Sequence, residues 1–438
     1  MSAEQPKNNS EKKPNTAKPP APEGSLCGTS VTIDDVRHVL GRHFGLDSAP
    51  ELADWSAVEI GAGKGYVSVM ARVKLSWKDA KFVEKLPKSV IVKIPTADKL
   101  GLLGINESMV EMVEMIKARI HKIHNCEVSV YERFAGADRP PHTPIPTIFG
   151  QKRLASADSL AAGDKAYLMM QDLTDVAATI GDPEMKQQSS DEQIRQLVIA
   201  VASLHAWSLT TDTSSVEYMD FVDLLQEMTK NIGVSDEEFA KLLREDEVWK
   251  SFIGEALSKE VPRLRLNKTD FNRMMTLHTE FNIPDTMVHG DMHPNNIMFR
   301  KGDDGTPTGD LVALIDWQTV YRGSPLLDLN RVLSIMALDN ETQRTDSFRS
   351  AMLDVYYETF EKVLRKTPPF SRQQLGDAFE QVYILSARSM VPGYGAFSKA
   401  IQSGAIPGFD AEKASKRLMH DAKHMFCEVI DLMNKHKI

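Results

Sequence analysis

Cysteine is scarce in this chain. Only three occur in 438 residues, Cys27, Cys126 and Cys427, far apart. They form neither metal-spaced pairs nor a disulfide framework, and a reducing compartment is the expectation. No apolar run reaches membrane-spanning length. Positive charge is not in excess. The net charge is −9 and the pI about 5.8, which disfavours non-specific binding to nucleic acid or to acidic membranes. The stretch "MSAEQPKNNSEKKPNTAKPPAPEGS" lacks the apolar core of a signal peptide. Ser2 stands where myristoylation needs glycine. The closing "MNKHKI" is neither a prenylation box nor a peroxisomal tripeptide. The expectation is a cytoplasmic protein with no nucleic-acid and no membrane partner; the residues name no protein partner.

What is present is an ordinary globular balance, 42% apolar and 26% charged, in a chain long enough for two or three lobes. Residues 1–28 are rich in Pro, Lys and Asn with almost no large apolar side chain, so they are expected to be a disordered tail. Thr32 reads as a helix N-cap and Gly45 as the stop of that helix. In "GYVSVMARVKLSW" apolar residues alternate with polar ones from Val67 to Trp77, a half-buried strand. "SVIVKIP" and "KAYLMMQDL" read as further strands, with a helix over roughly Ser108–Phe134 between them. After residue 180 the pattern turns helical. Ser190 with Gln193 and Ser235 with Glu238 look like capping boxes, and "VPGYGAF" reads as a break. The expected division is a β-rich lobe over 29–172 and a mainly α lobe over 173–438.

The chemistry concentrates in "VHGDMHPNNIMF", residues 288–299, and "LVALIDWQ". Ile297–Phe299 and Leu311–Ile315 read as the two strands of a hairpin. That places Asn296 and Asp316 at one end of it, with Asp291 on the loop leading in. Two carboxylates and an amide oxygen are hard ligands, suited to Mg²⁺ and poor for zinc. One carboxylate can stay free of metal and take a proton from a hydroxyl. Phosphoryl transfer needs that division. A polar turn before an ordinary hairpin is the competing reading.

Three features upstream fit the same chemistry. Gly61, Gly63 and Gly65 lead into a strand, where glycine lets backbone N–H groups approach phosphates. The stretch is no Walker A loop, and Tyr66 breaks a strict G-x-G-x-x-G. Lys93 sits mid-strand among apolar residues. Glu127 is a partner that would orient it, with Glu132 as a rival. Asp328 falls in the first turn of a helix expected to be capped by Ser324 with Pro325 at its first position. Only seven residues separate Asp316 from Ser324. A protein kinase needs a long activation segment there, so the acceptor is expected to be a small molecule.

As an ordered set, "IGAGKGYVSV", "VIVKIP", "EVSVYERF", "LMMQDL", "HGD", "IDWQ" and "SPLLDL" resemble the ecdysteroid-kinase-like, or choline-kinase-like, branch of the aminoglycoside phosphotransferase and choline kinase group. The resemblance runs from about Trp55 to Leu333. It implies an α+β, two-lobed protein-kinase-like fold and ATP- and Mg²⁺-dependent phosphorylation of a hydroxyl on a steroid, choline-like compound or other small alcohol. It implies Asp291 as catalytic base and Asn296 and Asp316 as metal ligands. Lys93 would meet the nucleotide phosphates and Glu127 would orient it. The 171–173 segment, Gln171 to Leu173, would be the hinge against adenine, and His289 and Asp328 would be structural supports. The chain departs from the branch in having Gln171 where Glu is usual and His293 where Trp is common. The acceptor pocket is expected among helices of residues 205–285. The alternative function is a catalytically silent, nucleotide-binding pseudokinase acting through protein contacts.

Overall fold

The structure is a computed structural model. It describes residues 21–61, 67–98, 100, 107–180, 189–220, 259–335, 341–404 and 410–437. The chain opens on α1 (Ile33–His43). Its N-cap is Thr32, whose side chain accepts from the Asp35 amide while Asp35 returns the bond. A five-stranded antiparallel sheet follows, built from β1 (Leu52–Ile60), β2 (Ser68–Trp77), β3 (Ser89–Pro95), β4 (Ile148–Lys152) and β5 (Tyr167–Gln171) in the order β1-β2-β3-β5-β4. A one-turn helix, α2 (Ala80–Val83), joins β2 to β3, and another, α4 (Ala157–Ala161), joins β4 to β5.

The period-2 pattern decides the faces of this sheet. On β2, Val69, Ala71, Val73, Leu75 and Trp77 are buried. They form one core with Val90, Val92 and Ile94 of β3 and with Val36, Val39 and Leu40 of α1. Gly150 permits the close approach of α1, because a Cβ there would lie 2.6 Å from Val39. The opposite face of β3 carries Ile91 and Lys93. Against Ile91 packs α3 (Glu107–Phe134), through Cys126, Val130, Tyr131 and Phe134.

The second lobe begins with β6 (Ala177–Thr179) and α5 (Asp191–Trp207), which is buried along most of its length. Then come α6 (Lys268–Thr276), β7 (Thr286–Val288), β8 (Ile297–Lys301), β9 (Pro307–Leu314), β10 (Tyr321–Gly323) and α7 (Leu326–Asn330). The chain ends in α8 (Asp346–Leu364), α9 (Arg372–Gln402) and α10 (Ala411–His436). The strands β6-β8-β9 form one small sheet and β10-β7 another, all antiparallel. The fold is thus α+β, a β-sheet lobe joined to a helical lobe. Among the described residues no helix is long and apolar enough to cross a membrane.

Three expectations need correction. The tail expected over 1–28 is too long. Leu26 is fully buried, Ser25 bridges Thr32, and Gly24, at φ +71°, accepts from the Ile33 amide. A single leucine docked beside α1 outweighs the polar composition around it. The break at "VPGYGAF" is absent, since α9 runs through Pro392 and Gly393. Buried neighbours on either side, Ile384, Val391 and Ile401, supply packing that offsets the lost proline N–H bond. Ser324 does not cap α7. The N-cap is Pro325, with no side-chain cap bond, and the Ser324 hydroxyl is buried without a partner. The expected Ser235–Glu238 box lies outside the described residues.

Candidate active site

Lys93 stands in the middle of the sheet, paired to Met70 of β2 and Leu168 of β5. Its Nζ donates to Glu127 Oε2 at 2.6 Å and to Asp316 Oδ1 at 2.5 Å. The Lys93 side chain is 9% exposed and that of Glu127 only 2%. Burial alone would lower the proton affinity of Lys93. The adjacent Asp316 and Glu127 carboxylates outweigh it and hold the ammonium above the ordinary lysine range. Burial pushes Glu127 up to about 7 against the pull of Lys93. Of the two rival glutamates, Glu127 therefore lies on Lys93. Glu132 pairs with Arg153 at 2.5 Å.

Asp316 lies two residues past the end of β9, after Ile315. It adopts φ +67°, a left-handed conformation unusual for a residue with a side chain, and such outliers concentrate at functional sites. Trp317 holds it there. The indole is fully buried, donates Nε1 to the Leu314 carbonyl, and packs edge-on against Phe134 of α3 and, at 4.5 Å between centroids, against His289. The Ile315 amide donates to the Asn296 carbonyl at 3.0 Å, which zips the two hairpin ends together. Asn296 and Asp316 thus share one rim.

On the loop after β7, Asn296 Nδ2 donates to the Asp291 carbonyl at 3.0 Å and to its Oδ2 at 3.3 Å. That use of the amide nitrogen leaves the Asn296 oxygen for a cation. His289 is fully buried, with Nε2 3.1 Å from the Ile315 carbonyl and Nδ1 accepting from the Asp291 amide. Both nitrogens are engaged in bracing the loop. Gly290 has φ +83°, and a Cβ there would meet the Thr319 carbonyl at 2.5 Å. Asp328 is fully buried and accepts from the amides of His289 and Gly290, at 2.8 and 3.0 Å. Burial would raise its carboxyl; the bond from His205, with the amide and ring of His289, holds it below the usual carboxylate range. His205 in turn reaches the Tyr356 hydroxyl at 2.9 Å. The expectation that Asp328 serves its own helix dipole is thus only part of its role. It anchors the neighbouring loop.

Of the expected nucleotide contacts, Gly61 is at φ +66°, while Gly63 and Gly65 lie outside the described residues. Gln171 ends β5 with an exposed side chain, and its amide donates to the Thr147 carbonyl at 2.8 Å. That N–H is already committed and so is not free for a base. Asp172 fixes the turn beyond, bound by Ser89, Thr174 and Arg72. Leu173 forms an apolar cluster with Ala177 and Ala313, flanked by Met298, Val312 and Ile315. Most of the helical stretch expected to line the acceptor pocket, 221–258, is outside the described residues.

Two participants went unread in the sequence. Trp317 looked like part of a motif and is the plug that joins α3 to the loop. Arg331 donates Nη1 to Asp291 Oδ1 at 3.0 Å. Its only signal was its place three residues after Asp328, on the same helix face.

A search of the curated proteins found no match. Among solved structures, Plasmodium vivax ethanolamine kinase is 11% identical with a TM-score of 0.37; the alignment covers 84% of this chain and 82% of that one. Macrolide 2'-phosphotransferase MphH from Brachybacterium faecium is 14% identical with a TM-score of 0.38, covering 88% of this chain and 98% of that one. A family profile described as "Uncharacterized oxidoreductase dhs-27" matches residues 21–437. By that match, which spans nearly the whole chain, this protein belongs to the DUF1679 family, an ecdysteroid-kinase-like family.

Proposed function

We propose that this protein is an ATP-dependent small-molecule kinase that transfers a phosphoryl group to an alcohol. The observation that carries the reading is the Lys93 ammonium held between Glu127 and Asp316, with Asp316 on one hairpin rim with Asn296, whose amide in turn bonds Asp291. In this reading Lys93 binds nucleotide phosphate oxygens, and Glu127 keeps it aimed. The apolar cluster around Leu173 and Ala313 carries the base, and Gly61, at φ +66° just past β1, offers its backbone to the phosphates. With the Gln171 amide committed, a backbone contact to adenine falls to the rest of the 171–173 segment.

Asp316 and Asn296 fit Mg²⁺. One carboxylate and one amide oxygen on a hairpin rim match an ion that takes few protein ligands and completes its shell with phosphates and water. When bound, Mg²⁺ supplies charge neutralisation on the phosphates. Asp291 orients the acceptor hydroxyl and takes its proton as that oxygen bonds to the γ-phosphorus of ATP and the bond to the departing ADP breaks. The Asp328 and His289 bonds hold the loop still while that happens. The short path from Asp316 to α7 leaves no peptide-docking segment, which supports a small acceptor. The word oxidoreductase in the family's description finds no support in the fold. Every strand pair among the described residues is antiparallel, whereas a dinucleotide-binding unit needs parallel strands around a helix.

The test is a metabolite-library screen for ATP turnover, with the phosphorylated product identified by mass spectrometry. A hydroxyl-phosphorylated product that disappears in Asp291→Asn supports the reading. Absence of turnover across alcohols, with Mg-ATP still bound, would favour the pseudokinase.

A further inference from the structure

We infer that Arg331 is a positioning residue for this transfer, holding the Asp291 carboxylate by one oxygen so that the other faces the acceptor. The inference rests on the proposed role of Asp291. Arg331 Nη1 donates to Oδ1 at 3.0 Å, and Asn296 Nδ2 approaches Oδ2 at the longer distance of 3.3 Å. The firmly held oxygen is therefore the one on Arg331. A partly exposed carboxylate rotates about its last bond unless something stops it, and a charge-assisted bond from a rigid guanidinium does so.

The pair is 32% and 35% exposed. An ion pair so open to water adds little to stability, so stability does not account for its presence. Its setting points to orientation instead. Arg331 begins a five-residue π-helical turn, Arg331–Ile335, directly after α7. Such turns are rare and recur at functional sites. Val332 and Leu333 are buried and fix the turn in the core. Asp328 and Arg331 lie three residues apart and face the same loop. Asp328 holds the backbone of His289 and Gly290, and Arg331 holds the side chain of Asp291. One element thus references both the backbone and the side chain of the proposed base. Lysine keeps the charge but lacks the rigid planar donor, so it is expected to substitute in part. Arg331 is no proton acceptor itself and acts through Asp291.

The test uses the full chain and Mg-ATP, with water as acceptor. ATP hydrolysis is measured for wild type, Asp291→Asn, Arg331→Gln, Arg331→Lys and the Asp291→Asn/Arg331→Gln double variant. Mg-ATP affinity is titrated by calorimetry in parallel. Arg331→Gln is expected to lower kcat at least tenfold with KM and Kd for Mg-ATP within twofold. Arg331→Lys recovers part of that loss. In the Asp291→Asn background Arg331→Gln changes the rate less than twofold. Should Arg331→Gln not fold, Arg331→Met keeps the aliphatic stem and serves with the same outcomes. The inference is overturned if Arg331→Gln matches wild type while Asp291→Asn is slow. Equal losses in both backgrounds, or a Lys variant no faster than Gln, also overturn it. A wild-type rate in Asp291→Asn instead removes the proposed base, and the inference with it.

Discussion

Replacing Lys93 with methionine is the sharpest probe of the site. Met fills much the same volume without the charge. Glu127, 2% exposed at its side chain, then faces Asp316 with no cation between them. Removing one partner of a buried ion pair costs about 3–5 kcal/mol, because the other charge stays buried. Glu127 has a way out, which is to take a proton. Its carboxyl is already pushed up to about 7 by burial, and loss of Lys93 removes what pulls it down. A carboxyl whose folded value lies above its unfolded one binds more protons in the native state. Its contribution is therefore fully present below the unfolded value and lost as pH rises through the folded one. The deficit of Lys93→Met against wild type should grow above about pH 7, by up to about 1.4 kcal/mol per pH unit. Urea unfolding at pH 6 and pH 8, followed by tryptophan fluorescence, measures it; Trp55 and Trp77 report from the β-sheet lobe. Lys93→Met/Glu127→Leu should recover most of the loss, since an apolar pair leaves no stranded charge. A Lys93→Met deficit under about 1 kcal/mol at pH 8, unchanged at pH 6, would refute the argument.

Asp316→Ala should abolish Mg-ATP binding, with Asn296→Ala weaker in the same direction, because a carboxylate binds the ion more strongly than an amide; unchanged calorimetric affinity in Asp316→Ala removes the rim site. Gly290→Ala should destabilise by about 2 kcal/mol or more and slow turnover, since a Cβ would strike the Thr319 carbonyl; denaturation at wild-type midpoint contradicts this. Deleting residues 1–20 should leave the melting temperature unchanged, whereas deletion through residue 28 also removes Leu26 and should cost about 1.5–3 kcal/mol. Equal melting temperatures for the two truncations would mean that Leu26 contributes nothing.

The local patterns were legible because they are local. Alternation marked β2, Thr32 and Ser190 marked helix starts, and turn residues between two short apolar runs marked the β8–β9 hairpin. That hairpin alone was enough to put Asn296 and Asp316 on one rim. Errors arose where a distant contact overrode composition. Leu26 is held by α1, and α9 is carried past Pro392 by packing on both sides. Ser324 looked like a cap, but the chain turns one residue later.

What the sequence determined by itself is the set of short-range geometries: strand faces, the hairpin and the spacing of polar residues within it. Only the tertiary structure decided between Glu127 and Glu132, because both lie on α3 and the choice depends on how that helix is rotated beneath the sheet. Packing of Cys126, Val130 and Phe134 into the core turns Glu127 toward Lys93 and leaves Glu132 to Arg153. The same holds for Asp328 and Arg331. Their partners lie about forty residues away along the chain, and no periodicity encodes a meeting across that separation. It is encoded by the buried surface that brings α7 against the loop.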